Sequence, residues 1–517
     1  MKVFRNLRDL LDPFISDQSE SSEPTPSSPL LLEECERIFG FASGANTDQS
    51  LRCILDRLLS LQPYVQWFTV SSLDLRSQKL TSVRDLATIL PSLETLDLSD
   101  NLIQDVAMLP ASLRSLKINR NRLTDINGLV TLENLSYLDI CNNSVRSFKG
   151  IEALTRLKVV HAENNMVASC SPFPIMHGLM QLNLRSNRLK KLDFGHLKLR
   201  SHCLEQLDVS YNRIVCLDTL EGLTQLKVLH LEHNELAYID LKLPLMNLKV
   251  LCLDYNRLST FDGRLFPDLG TLSLDGNHIS SSLCLASCSQ LRELSIRDQC
   301  GQSLEQVLDL NAVIEARTLQ LSGNIMKSMP AMAELFALDY LEMCGVQLDQ
   351  LPQDFAQQAP HLTVLCLCHN HLECIKPLRK LYRLRKLVLL NNRLENVNDL
   401  VKNLHRLGAL RYLDLRDNPM TYKYYPTTIP SSEPRKRQPC QCIAQEPDDL
   451  WINRDIEHTQ ALSLVWQQRR STYRAVIIKA SPTLTMLDGI SLSLNDTAQA
   501  DHIIQLQLQH SGSSFML

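Results

Sequence analysis

Leucines recur along the chain at fixed short spacings, and in most copies an asparagine follows them. The motif L-x-x-L-x-L-x-x-N describes stretches such as SLETLDLSDN and LKVLCLDYN. Leucines two positions apart lie on one face of a β-strand, so each copy predicts a short strand with an apolar inner side. Sixteen copies occur, mostly 20 to 26 residues apart. Thirteen of them close on an asparagine, namely Asn101, Asn121, Asn143, Asn165, Asn187, Asn212, Asn234, Asn256, Asn277, Asn324, Asn370, Asn392 and Asn418.

A period of this length with this consensus is characteristic of leucine-rich repeats. One unit cannot bury its leucines alone, whereas stacked units bury them in one continuous core. We therefore expect an α/β leucine-rich repeat solenoid with a parallel β-sheet on its concave face and helical caps at both ends. The convex side is expected to be extended chain or 3-10 turns. The asparagine amides should satisfy backbone groups of the turns.

Changes in composition divide the chain into five segments. They are a Ser/Pro-rich N-terminus expected to be disordered (1–30), an N-terminal helical cap (31–69), the repeats (70–418), a loop with a C-terminal helical cap (419–492) and a tail (493–517). The caps are expected because a terminal repeat would otherwise expose its leucines. In the C-terminal cap, helical spacing of apolar residues predicts one helix over 447–482, which Pro482 ends. Thr25 and Ser28 each precede a proline and are candidate phosphorylation sites.

Residues two, four and six positions before each asparagine are expected to face outward from the sheet. In the middle of the array these columns contain an acidic stripe, with Arg185 before it and Arg297 after it: Asp208, Glu232, Asp254 and Asp275. Toward the C-terminal end they become largely apolar, and we call this set the C-terminal columns: Val364, Cys366, Cys368, Lys386, Val388, Leu390 and Tyr412. Both sets are candidate partner-binding surfaces. The alternatives are a solvated acidic face and an apolar patch covered by the C-terminal insertion.

Composition and motifs indicate a chain without catalytic chemistry. The formal net charge of −4 gives no basic surface for nucleic acid, and no apolar run reaches the length of about 18 residues that a membrane span needs. Phosphate-binding glycine loops and the H-E-x-x-H motif are absent from the sequence. Most of the sixteen cysteines fall inside the leucine pattern, which favours buried free thiols in a reducing compartment. We expect a cytoplasmic protein without a cofactor.

Two cysteine-containing stretches raise the question of zinc. In LCLCHNH (365–371) the cysteines are expected on the outer strand face while the first histidine turns away, so four ligands do not converge as zinc requires. In PCQC, Cys440 and Cys442 lack a second pair at a suitable spacing. The sequence therefore predicts no metal site. An enzyme with a metal site around Cys440 and Cys442 remains an alternative.

The C-terminal pattern Y-R-x-x-I-I-x-x-x-P-x-L-x-x-L-D-G, preceded by W-I-x-R-D, resembles a known family. It is similar to the fungal scaffolds of the septation-initiation and mitotic-exit networks at the spindle pole body. The matching cap residues include Trp451, Tyr473, Arg474, Leu487, Asp488 and Gly489. The resemblance implies a non-enzymatic scaffold that anchors a small GTPase module and kinases at the microtubule-organising centre, through a spindle-pole-body anchor. The alternative is a regulatory subunit of protein phosphatase 1 that binds through the concave face.

Overall fold

The computed structural model describes residues 69–426 and 449–510, except for 85, 172–177, 193–202, 219, 221, 301–302 and 330–333. Several sequence predictions lie outside the described residues. These are the N-terminal segment 1–30 with Thr25 and Ser28, nearly all of the predicted N-terminal cap, and the PCQC stretch with Cys440 and Cys442.

Short strands in successive repeats pair side by side in one 18-stranded sheet. Sixteen repeat strands are parallel, a seventeenth continues that order, and the last turns back antiparallel. β8 and β10 form a separate parallel pair. The strands are β1 Ser72–Asp74, β2 Thr95–Asp97, β3 Ser115–Lys117, β4 Tyr137–Asp139, β5 Val159–His161, β6 Gln181–Asn183, β7 Gln206–Asp208, β8 Cys216–Leu217, β9 Val228–His230, β10 Tyr238–Ile239, β11 Val250–Cys252, β12 Thr271–Ser273, β13 Glu293–Ser295, β14 Thr318–Gln320, β15 Tyr340–Glu342, β16 Val364–Cys366, β17 Lys386–Val388, β18 Tyr412–Asp414, β19 Met486–Leu487 and β20 Ile490–Ser491.

The repeat asparagines form a ladder of side-chain hydrogen bonds between neighbouring units. Asn256 is typical, because its amide donates to the carbonyls of Leu231 at 3.0 Å and Leu253 at 2.9 Å. Its Oδ1 accepts from the N–H of Leu236 at 3.0 Å. Gln299 makes the equivalent bonds where the asparagine is replaced. Each amide therefore satisfies buried backbone groups of two units at once, which explains its place in the motif.

The inward leucines of all the described repeats pack as one continuous core, in which Leu96, Leu251 and Leu387 have no exposed surface. Outside the sheet, the returning chain is mostly extended with short 3-10 turns at Asn127–Leu129, Ile151–Ala153, Gly263–Leu265, Leu285–Ser287, Leu304–Gln306, Leu310–Val313, Lys376–Leu378 and Pro419–Thr421. Three repeats carry short α-helices there: α1 Leu86–Ile89, α2 Phe355–Gln358 and α3 Val397–Leu404. The prediction of a leucine-rich repeat solenoid with a parallel sheet is confirmed.

Three α-helices follow the repeats: α4 Asp449–Ala461, α5 Leu464–Ala480 and α6 Leu494–His510. The single helix predicted over 447–482 is wrong, because Ser463 adopts extended backbone and separates α4 from α5. Serine is favoured at such a start because its side chain competes for backbone hydrogen bonds. The side chain of Gln467 bridges the break by donating to the carbonyls of Thr459 and Leu462. Helix α6 packs along α5, and none of the described helices is long and apolar enough to cross a bilayer.

Candidate functional site

The acidic stripe runs over four neighbouring units of the sheet. Asp208 is the last residue of β7, whereas Glu232, Asp254 and Asp275 lie two residues beyond the ends of β9, β11 and β12. Asp208 stands four positions before its asparagine, while the other three acids stand two positions before theirs. Parallel strands bring such side chains within about 5 Å of their neighbours. Asp275 is buried and the other three are partly buried. The stripe is therefore a run of closely spaced carboxylates rather than a set of scattered surface charges.

Basic side chains lie at the two ends of the stripe, with Arg185 in the unit before Asp208 and Arg297 in the unit after Asp275. Arg297 forms an ion pair with Asp275 at 2.6 Å, whereas Asp254 accepts hydrogen bonds from the Ser273 hydroxyl and the N–H of Asp275. Burial, together with the neighbouring carboxylate of Asp275, raises the pKa of Asp254 to about 7. Within the described residues, neither Asp208 nor Asp254 forms an ion pair with a basic side chain. The negative charge of the stripe is thus only partly balanced by basic side chains.

A histidine and a buried cysteine lie within the stripe. His230 contacts Glu232 through its Nδ1 at 3.0 Å from the carboxylate oxygen. Burial opposes protonation of the His230 ring, but the Glu232 and Asp208 carboxylates outweigh it and raise the imidazole pKa. Cys252 lies beside His230 on the next strand, and burial raises the pKa of its thiol. The centre of the stripe therefore combines nitrogen, oxygen and sulfur donors.

An aromatic ladder borders the acidic stripe. The rings of Tyr211, His233 and Tyr255 stack in sequence, with centroids 4.2 and 4.4 Å apart. The guanidinium of Arg185 lies 4.3 Å above the ring of Tyr211 and extends the ladder by one unit. Each ladder residue directly precedes a repeat asparagine and has a positive φ, which turns its ring to the edge of the sheet. Both tyrosines are 42% exposed, so the ladder offers aromatic faces to a partner.

Four of the seven side chains in the C-terminal columns are buried. Cys366, Cys368, Val388 and Leu390 are buried, and with Cys344 they form a hydrophobic cluster separate from the repeat core. These four side chains are therefore covered rather than exposed, because side chains in the same column of a parallel sheet lie close enough to cover one another.

The rest of the C-terminal columns packs around that cluster. Val364 and Tyr412 are partly buried against it, and Lys386 places its amine 4.6 Å from the centre of the Tyr412 ring. Partner binding by these side chains stays a prediction. The sulfur atoms of Cys344 and Cys368 lie 2.7 Å apart.

The histidines of LCLCHNH engage separate partners. His369 Nδ1 lies 2.8 Å from the amide of Asn391, and His371 Nδ1 lies 3.2 Å from a carboxylate oxygen of Asp349. Asn391 belongs to the following unit and Asp349 precedes the unit of the two histidines. The structure therefore brings no set of four ligands together in this stretch.

The cap residues converge on the last repeat. Leu487 and Asp488 are fully buried, and the Asp488 carboxylate accepts a hydrogen bond from the Tyr473 hydroxyl at 2.9 Å. Trp451 is buried with its ring 4.2 Å from the Arg416 guanidinium. Gly489 has a φ of +78°, and a Cβ there would lie 2.9 Å from Trp451 Nε1. Glycine is thus required at this turn on both conformational and steric grounds.

One further cap residue, Arg474, is linked to Asp488 through a tyrosine that sequence reasoning missed. Arg474 donates to the hydroxyl of Tyr425 at 3.3 Å, and Tyr425 in turn donates to Asp488. Tyr425 lies in the loop after the repeats, where no periodic pattern marks it. The aromatic ladder was also missed, although a ring before the asparagine in three successive units (YN, HN and YN) is a readable signal.

The sequence of this chain is similar to leucine-rich repeat proteins and to two yeast proteins. The leucine rich repeat family model matches residues 177–236. The septation initiation network scaffold protein cdc11 of Schizosaccharomyces pombe is 32% identical over 461 residues, which cover 87% of this chain and 44% of that protein. Protein NUD1 of Saccharomyces cerevisiae is 27% identical over 72% of this chain and 41% of its own length. The chain thus spans less than half of each of these relatives.

The fold has a counterpart among solved structures. The functional domain of InlJ from Listeria monocytogenes superposes with a TM-score of 0.56 over 68% of this chain and 74% of that domain, at 20% identity. At that identity the likeness shows the fold alone. The resemblance to septation-network scaffolds indicated by the C-terminal pattern is confirmed by the similarity to the fission yeast protein. The chain is a leucine-rich repeat protein, and over most of its length it is similar to the scaffold of the septation initiation network.

Proposed function

We propose that this chain is a non-enzymatic scaffold that holds protein partners of a septation-initiation or mitotic-exit network at the spindle pole body. The observation that carries the proposal is the extent of the similarity to the fission yeast scaffold. The alignment extends over 461 residues and is therefore longer than the repeat region 70–418. It therefore reaches beyond the generic leucine pattern, which many unrelated proteins share.

The acidic stripe with its aromatic ladder is the surface that we propose for partner binding. Carboxylates without a paired cation attract lysine and arginine side chains, and charge complementarity of this kind sets specificity and speeds association. Tyrosine faces beside the carboxylates add cation–π contacts to the same basic side chains. The partner segment is therefore expected to be extended and basic, lying across the strands from Asp208 to Asp275.

The partners themselves follow from the resemblance. We propose a spindle-pole-body anchor, a small GTPase module and kinases as the bound components, and a cytoplasmic protein concentrated at the microtubule-organising centre. The buried cap around Asp488 would then maintain the end of the array, because an open last repeat would expose its leucines.

The alternative function, a regulatory subunit of protein phosphatase 1, draws on the same acidic stripe. That function also calls for Trp and Phe on the concave face. In the described repeats, the residues two, four and six positions before the asparagine include tyrosines such as Tyr137 and Tyr412 but no Trp or Phe. The scaffold proposal therefore accounts for more of the chain.

Localisation in fission yeast separates the two functions. A fluorescent fusion of this chain is expected to mark the two spindle poles in mitosis, and a D208N/E232Q/D254N variant should lose the signal at equal abundance. The amide replacements keep the size of each side chain while removing charge. Diffuse fluorescence of the intact fusion, together with co-purification of the phosphatase catalytic subunit, would favour the alternative.

A further inference from the structure

Three potential metal ligands meet at the centre of the acidic stripe. His230 and Glu232 are two residues apart on one strand and its extension, and Cys252 is the register partner of His230 on the neighbouring strand. One donor atom from each, an imidazole nitrogen, a carboxylate oxygen and the thiol sulfur, lies within 4.8 Å of the other two. The three side chains belong to two consecutive repeats.

The geometry of neighbouring parallel strands explains why these three side chains lie close together. Residues at positions i and i+2 project from the same face of a strand, and the next strand lies about 4.8 Å away. A histidine and a glutamate at those positions, with a cysteine opposite the histidine, therefore share one space above the sheet. Nitrogen, oxygen and sulfur donors in one set are the ligands that zinc accepts.

The burial of the three groups and an unsatisfied oxygen point to a ligand. Cys252 is 1% exposed, and the side chains of His230 and Glu232 are 15% and 19% exposed. Glu232 places one carboxylate oxygen against His230, while its Oε2 is buried with no hydrogen-bond partner among the described residues. A buried carboxylate oxygen without a donor is costly unless a cation or another partner meets it.

We propose that His230, Glu232 and Cys252 bind one divalent transition-metal ion of the zinc class, with a water molecule in the fourth position. Binding replaces the proton of the Cys252 thiol, which passes to solvent, by a sulfur–metal bond. Asp208 and Asp254 surround the site and supply negative potential that attracts the cation. The ion would link two adjacent repeats and reduce the net negative charge of the stripe.

The test uses the full chain, purified under metal-free reducing conditions, and titrated with Co²⁺ as a spectroscopic substitute for Zn²⁺. We expect a thiolate-to-cobalt charge-transfer band that saturates at one ion per chain, and Zn²⁺ should displace the Co²⁺. Cys252→Ser should abolish the band. His230→Gln and Glu232→Gln should keep the fold and weaken metal affinity by at least about tenfold.

Matched variants distinguish this site from binding by other thiols. His161→Gln changes a histidine in the same column three units earlier, and Cys288→Ser removes another buried thiol. Both should leave the band and the affinity unchanged. Thermal unfolding of each metal-free variant checks that loss of binding is not loss of fold. A wild-type chain without the band, or a band that persists in Cys252→Ser, would overturn the proposal.

Discussion

The hydroxyl of Tyr425 donates a hydrogen bond of 2.7 Å to the buried carboxylate of Asp488, which lies 63 residues later in the chain. The same carboxylate accepts from the backbone N–H of Leu415 at 2.7 Å. In the preceding repeat the corresponding N–H, that of Leu389, donates instead to the carbonyl of Asp414 on the next strand. Asp488 therefore provides from its side chain the acceptor that a further repeat would have provided from its backbone.

Removing a tyrosine hydroxyl from this cluster should weaken the C-terminal end of the array. Tyr425→Phe and Tyr473→Phe each leave a buried carboxylate with one donor fewer, at a cost of about 1–3 kcal/mol in the free energy of unfolding. Urea unfolding followed by circular dichroism measures the change. Tyr422→Phe is the matched control, because Tyr422 is 67% exposed and should have no measurable effect. Equal stability of all three variants would contradict this role of the cluster.

The asparagine ladder predicts a cost for any interior member. Asn256→Ala removes an amide that bonds the carbonyls of Leu231 and Leu253 and the N–H of Leu236, so buried backbone groups lose their partners. We expect a loss of about 2–3 kcal/mol, measured by thermal or urea unfolding. Asn247→Ala serves as the control, since Asn247 is exposed and bonds only the Thr224 carbonyl. Similar losses at both positions would mean that the ladder is not the source of stability.

The hydrophobic cluster of the C-terminal columns makes Val388 sensitive to charge. Val388 is 1% exposed, so Val388→Asp places a carboxylate in an apolar environment and should cost about 3–5 kcal/mol. Val215→Asp, at a residue 48% exposed, should change the unfolding free energy by no more than about 0.5 kcal/mol. The midpoints of thermal unfolding of the two variants measure the difference in stability. A tolerant Val388 would show that this face is open to solvent.

Stability should depend on pH through Glu342. Burial raises the pKa of this carboxyl above 4.5, partly opposed by hydrogen bonding from Ser322 and by the Arg297 charge. A raised folded pKa means that the folded chain holds the proton more tightly. Protonation of Glu342 therefore contributes to the free energy of unfolding. This contribution is fully present below pH 4.5 and is lost as the pH rises through the folded pKa, by at most about 1.4 kcal/mol per pH unit.

Glu342→Gln removes this titration while preserving the size of the side chain. The stability of the variant relative to the wild type should therefore increase as the pH is raised from 4.5 to neutrality. Urea unfolding at a series of pH values measures the difference. Glu133→Gln, at an exposed position, is the control for the amide replacement itself. A difference at Glu342 that stays constant with pH would refute the assignment.

The repeat architecture was predictable because its signals are local. A leucine pair such as Leu251 and Leu253 needs only strand periodicity to be placed inward, and the following asparagine needs only the turn. The burial of Cys366 and Val388 was not predictable, because it depends on which side chains occupy the same column in neighbouring repeats. The acids of the stripe follow from the same strand periodicity, and their use in partner binding stays a prediction.

Contacts between distant segments explain the remaining differences. The involvement of Tyr425 in the cap depends on a loop meeting a residue 63 positions away, which no periodicity reports. The break at Ser463 was not predictable from the spacing of apolar residues, because a continuous helix would satisfy the same local spacing. Stacking of His233 between two tyrosines likewise results from the alignment of successive units.

The proposed role of this chain as a septation-network scaffold depends on its acidic stripe. The most direct measurement replaces the aligned region of the fission yeast scaffold by this chain and scores septum formation in cells that lack the endogenous protein. We predict that the chimera restores septation, whereas the same chimera carrying D208N/E232Q/D254N does not. A control chimera with the exposed convex acids neutralised, E133Q/D268N/E315Q, should restore it fully. A stable, expressed chimera that fails to restore septation, or a stripe variant that restores it as well as the wild type, would contradict the account.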